Sequence, residues 1–79
     1  MTKEMQFKTI IAQYCEVKAE DMTEDMRFRE DLGFSSLDFM SFLGELEDTF
    51  DVELEEEDAL QVVTVGEAME LLNKLEAAE

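Results

Sequence analysis

Residues 31–50, "DLGFSSLDFMSFLGELEDTF", decide how this chain folds. A glycine, a phenylalanine and two serines lead straight into apolar residues at helical spacing. On a wheel of about 100° per residue, Phe39, Phe42, Leu43, Leu46 and Phe50 share one arc, which is the core side. Leu37, Met40, Gly44 and Asp48 fall on another, with Glu47 on its margin. The spacing predicts a helix over 36–50 with an aromatic inner face. Its second face sets apolar groups beside carboxylates and one position without a side chain. Single exposed Leu and Met residues are ordinary on any surface; a partner-docking face is the sharper reading, and periodicity alone leaves both open.

The two serines divide the helix start between them. A serine just before an apolar-periodic segment caps a free backbone N–H. With Ser35 as cap, Asp38 comes three residues later, where a carboxylate favours the positive helix end. Ser36 then lies in the first turn, its hydroxyl at the end of a long loop. Unmatched amides and the helix macrodipole there favour an attached phosphate. No base is near in sequence to activate that hydroxyl. Any phosphoryl chemistry on it belongs to another enzyme.

On the N-terminal side, Phe7, Ile10, Ile11, Tyr14 and Cys15 recur at helical spacing behind Thr2, a candidate N-cap. They predict a first helix over about 3–17. Residues 18–35 show no sustained period and read as a long ordered loop with one short helical turn, pinned by Met22, Met26, Phe28, Leu32 and Phe34. Loops of this length in small domains are more often functional than average. On the C-terminal side, "DVELEEEDAL" turns the chain on Val52 and Leu54, with a short third helix over about 56–61. Thr64 and Glu67 fit a capping box that opens a last helix over about 64–76. The fold class is all-α: a four-helix bundle with a long loop between the first two helices and a short third one, in a single domain spanning 1–79.

Composition narrows the function. The 79 residues hold 22 acids against 6 bases, a formal charge of −16, and between Arg29 and Lys74 there is no Lys or Arg. Such a surface repels nucleic acid and anionic membrane and steers encounters with basic protein surfaces. Neither binding to nucleic acid nor insertion into a membrane is expected, and the first residues hold no apolar run long enough for a signal peptide or span. The lone Cys15 falls on the apolar side of the first helix, as a small buried hydrophobe. One cysteine and no disulfide point to a reducing, cytoplasmic setting.

The catalytic inventory is thin. There is no His, which removes the commonest general base and metal ligand. With a single Cys, zinc and iron–sulfur sites are excluded too, and no metal site is expected. No phosphate-binding glycine loop is present. "DVELEEED" lacks the central Gly of a calcium loop. Paired carboxylates need a concave pocket for acid–base work, and a domain of this size has little room for one. The chain reads as a non-enzyme.

Those residues resemble the acyl carrier proteins of fatty acid and polyketide synthesis. The likeness runs over nearly the whole chain: "FKTIIAQYCEV", the "F-x-E-D-L-G" approach at Phe28 to Gly33, the Ser-Leu-Asp helix start, "LE-x-x-F" at Leu46 to Phe50, and "TV-x-x-A" at Thr64 to Ala68. The resemblance implies that a phosphopantetheinyl transferase attaches a 4'-phosphopantetheine arm to Ser36, and that the arm's thiol holds acyl groups as thioesters. It implies a monomer whose second helix docks acyl-transferring and synthase enzymes through their Lys and Arg. Leu37 and Met40 would be apolar contacts; Asp38, Glu45, Glu47 and Asp48 the acidic ones, joined by Glu53 and by Glu56 or Glu57. Ala59, Ala68 and Met69 would line a gap for the acyl chain.

Three residues depart from the family pattern: Ser35 where an Asp is usual, Ser41 at a commonly acidic position, and Gly44 at an apolar partner-facing one. Together they point to a specialised carrier rather than the housekeeping one. Two alternatives stay open, an aminoacyl (D-alanyl) carrier and an adaptor that has kept the fold without the prosthetic group.

Overall fold

Helix α2 spans Ser36–Phe50, as its periodicity predicts, in a computed structural model that describes residues 2–77. Phe42, Leu43 and Leu46 are buried, while Phe39 and Phe50 are half-buried at the edge of the core. Phe42 stands at the centre of an aromatic cluster. Its ring centroid lies 5.8 Å from Phe7, 5.4 Å from Phe28, 5.9 Å from Phe34 and 6.5 Å from Tyr14. Most of these pairs are edge-on, the arrangement ring quadrupoles favour, contributing about 0.5–1.5 kcal/mol each beyond area burial. The helix ends where Asp51 turns left-handed, φ 53° and ψ 52°, and its amide donates to the Glu47 carbonyl. Asp is among the few non-glycine residues that tolerate this region.

Helix α1 covers Lys3–Ala12, with the Thr2 hydroxyl accepting from the Met5 amide at 3.1 Å. It is shorter than the predicted 3–17. The Gln13 amide is shared between the carbonyls of Ile10 and Ile11, and the Tyr14 amide reaches Ile11 at 3.0 Å. These i→i+3 bonds tighten the last turn and end the helix. Tyr14, Cys15 and Val17 still pack against the core, delivered by a turn instead of a fifth helical row. Apolar spacing survived where the helix did not, and the loop accordingly runs from 13 to 35.

That loop is ordered by burial. It holds one 3-10 turn, Ala19–Asp21, and sinks Met22, Phe28, Leu32 and Phe34 into the core. Gly33 takes φ +73°, a conformation side chains rarely adopt, and the chain behind it folds back so that the Phe34 amide donates to Phe28 at 2.8 Å. Its middle is also stitched to the start of the last helix. Phe28 donates to the Val63 carbonyl, Val65 to Met26 and Gly66 to Glu24, all at 2.9–3.0 Å, around an isolated antiparallel bridge between Arg27 and Thr64. A Cβ at position 66 would come 3.1 Å from the Glu24 carbonyl oxygen, so the approach is suited to glycine.

Helix α3, Glu56–Gln61, is six residues long with no side-chain cap and no fully buried residue. Helix α4, Val65–Ala77, begins directly after Thr64, the cap that the expected capping box names. The Thr64 hydroxyl accepts from the Glu67 amide at 3.2 Å, and the Glu67 carboxylate accepts from the Thr64 amide at 3.1 Å. Lys3 pairs with Asn73 and Glu76, tying the start of α1 to the end of α4. The architecture is the expected all-α bundle, four helices with a long first loop and a short third helix. The expected domain extent of 1–79 passes beyond the described residues at both ends. No helix among them is long and apolar enough to cross a membrane.

Gly44 is interior to α2, and a Cβ there would meet nothing within 4 Å. Replacing it by alanine removes the backbone-entropy penalty of a helical glycine, about 0.5–1 kcal/mol. Gly44→Ala is expected to raise the urea midpoint with no change in slope, read by circular dichroism.

Candidate functional site: the α2 start and its groove

The start of α2 is fixed by a reciprocal capping box. The Ser35 hydroxyl accepts from the Asp38 amide, and the Asp38 carboxylate accepts from the Ser35 amide, both at 3.1 Å. Ser36 is thereby the first helical residue, and its side chain is exposed. The amides of this turn that the cap leaves free face out of the helix end. The Ser36 hydroxyl accepts from Arg29 Nη2 at 3.3 Å. Beside it Leu37 and Met40 are 81% and 65% exposed, large apolar side chains left in water.

From Ser36 a groove of about 730 Å³ runs between α2 and α3. One wall is Met40, Leu43 and Gly44 of α2; Phe28 and Phe39 form part of the lining at the loop end. The other wall is Ala59 and Leu60 of α3 with Val62 and Val63 beyond it. The absent side chain of Gly44 leaves this space open. Of the three residues expected to line an acyl gap, Ala59 lines this groove. Ala68 is buried in the core and Met69 packs against it, because the apolar face of α4 is spent on the bundle interior.

The acids of the site fall into two groups. Asp48, Glu53 and Glu56 are exposed, as is Glu57. The other three are engaged inside the fold. Asp38 closes the cap, and Glu45 accepts the Tyr14 hydroxyl at 2.9 Å in a part-buried contact. Glu47 accepts the Leu54 amide at 3.1 Å, bracing the chain after α2. A helix wheel shows these carboxylates as solvent-facing; it cannot show that each has a donor waiting in another segment. Arg29 was not singled out from the sequence either. Its signal was available: it is the last base before the long acidic stretch, seven residues ahead of Ser36.

Burial raises the Tyr14 phenol above its ordinary value of 10, and the hydrogen bond to Glu45 and the Glu45 charge push the same way.

Residues 6–72 match the protein family described as the phosphopantetheine attachment site. The chain belongs to the acyl carrier protein family. It is similar to a solved structure described as an acyl carrier protein from Mycobacterium tuberculosis, with a TM-score of 0.85, 27% identity, and coverage of 92% of this chain and 97% of that one. It is also similar to the acyl carrier protein from Enterococcus faecalis, with a TM-score of 0.80, 32% identity, and coverage of 95% and 99%. Members of the family are non-catalytic carriers, and 4'-phosphopantetheine is their cofactor.

Tyr14→Phe removes one charge-assisted hydrogen bond between the turn after α1 and the carrier's second helix, a loss of about 1.5 kcal/mol. Because the folded phenol has the higher pKa, its contribution is whole below pH 10 and fades as pH rises through the folded value. The gap between wild type and Tyr14→Phe in urea unfolding is therefore expected to be constant near neutrality and to close in strong alkali.

Proposed function

We propose that Ser36 bears the 4'-phosphopantetheine arm and that this carrier delivers aliphatic acyl groups to cytoplasmic enzymes of fatty acid or related polyketide and specialised-lipid biosynthesis. The observation that carries this reading is an exposed hydroxyl at a capped helix end, opening onto an apolar groove. The residues fit the group: Ser36 offers the attachment oxygen, and the open helix end and the Arg29 guanidinium favour a phosphate there. When bound, the arm supplies a terminal thiol on which acyl groups are held as thioesters.

Ser35 holds the helix start while Ser36 stays clear of the cap, so the two adjacent hydroxyls do different jobs. The groove is lined by hydrocarbon from Leu43, Ala59 and Val62, which favours an aliphatic cargo over a charged aminoacyl one. Leu37 and Met40 give partners an apolar contact next to the arm. Asp48, Glu53 and Glu56 give basic enzyme surfaces free carboxylates to find, the carrier itself acting as a monomer.

Co-expression with a broad-specificity phosphopantetheinyl transferase, followed by intact mass, tests the attachment point. Wild type and Ser35→Ala are expected to gain one phosphopantetheine, and Ser36→Ala none; an unmodified wild type would sink the proposal in favour of an adaptor.

The free and engaged acids separate docking from folding. Asp48→Lys is expected to leave the urea midpoint within about 0.5 kcal/mol of wild type while slowing partner association at low salt. Glu47→Lys is expected to lower the midpoint as well, through the lost bond to Leu54.

A further inference from the structure

Two arginines stand two residues apart in the long loop, and only one has its charge matched. Arg27 Nη1 lies 2.6 Å from Glu30, and the Asp31 carboxylate accepts from the Arg27 amide at 2.7 Å and faces its Nε at 3.5 Å. Arg29 forms no ion pair among the described residues. Its Nη2 donates to the Ser36 hydroxyl instead. In a chain of 22 acids and 6 bases, a guanidinium resting on a neutral hydroxyl is out of the ordinary. A hydroxyl is the weaker ligand; an anion at the same place is the stronger one.

The surroundings keep that place free for an anion. Glu30 and Asp31 are taken by Arg27, and the Asp38 carboxylate is turned onto the Ser35 amide. Ser35 itself is neutral. We infer that Arg29 is a positioning residue that pairs with the phosphodiester of the arm on Ser36, an inference resting on Ser36 as the attachment point. A phosphate on Oγ places its free oxygens two bonds beyond the atom that Nη2 already reaches, and the planar guanidinium fork matches two of them. Arg29 also lines the groove together with Ser36 and Met40. Pairing therefore inclines the first segment of the arm toward the groove rather than outward into solvent. Arg29 is exposed, so the pairing is a bias of about two- to five-fold, the scale of a surface ion pair. A partner enzyme can overcome a bias of that size.

The test uses the full chain, wild type and Arg29→Gln, each in apo and holo forms. Loading is first checked by intact mass on wild type and Ser36→Ala. The Arg29 Nε–Hε resonance is expected to shift between apo and holo wild type while that of Arg27 stays in place. The ³¹P resonance of the holo phosphodiester is expected to shift and narrow in Arg29→Gln, at an unchanged melting temperature. Raising salt to about 1 M, where the Debye length is about 3 Å, should move the wild-type ³¹P signal toward that of the variant and leave the variant unmoved. Normal loading on Ser36 with identical Arg29 and ³¹P signals overturns the pairing alone. Absence of loading on Ser36 overturns both the pairing and the attachment point beneath it.

Discussion

The ring of Phe42 is the constraint on which the other parts depend. It is fully buried, and the rings around it come from α1 through Phe7, from the long loop through Phe28 and Phe34, and from its own helix through Phe39. A bundle with one six-residue helix has little helix-on-helix surface to spare. The loop supplies what is missing, inserting aromatic side chains where a longer helix would otherwise lie. The segment is irregular in backbone yet belongs to the core. That burial also sets the geometry at the helix start: Phe28 and Phe34 are sunk in the core, and the chain between them passes the start of α2 with Arg29 at the Ser36 hydroxyl.

Much of this was legible in the sequence because the deciding signals are local. The bounds of α2 followed from periodicity and the serine pair, and the capping box at Thr64 and Glu67 from residues three apart. The pinning of the loop by Met22, Phe28, Leu32 and Phe34 was readable from hydrophobicity alone. Signals that join distant segments were not. Tyr14, just past the end of α1, bonds Glu45, thirty-one residues away. Which face of α4 the bundle consumes is one such case: Ala68 and Met69 pack into the interior and not along this groove. Periodicity places a residue on an arc but is silent about what stands opposite.

The same silence explains the acids. A net charge of −16 reads as one undivided field, yet its members differ in what they can give up. Asp38, Glu45 and Glu47 each accept a hydrogen bond from the fold, so moving them costs the structure something. Asp48, Glu53 and Glu56 have no such tie among the hydrogen bonds and ion pairs of the described residues. Replacing a member of the free group therefore spares the fold, while replacing a member of the engaged group removes one of its bonds.

Helix α3 shows a further consequence of uneven support. Its under-two-turn length gives it almost no cooperative strength of its own, and it lacks a side-chain cap and a buried anchor. The connector behind it, by contrast, is hydrogen-bonded to the loop at Phe28, Met26 and Glu24. One bank of the groove is thus fastened to the aromatic core through α2, and the other is a short span held from its two ends, by Val52 and the Leu54–Glu47 bond before it and by the loop bonds after it. Opening free energies follow such differences in burial and bonding. The wall of the groove beside Ser36 with the least burial is therefore α3, while the opposite wall is part of the packed interior.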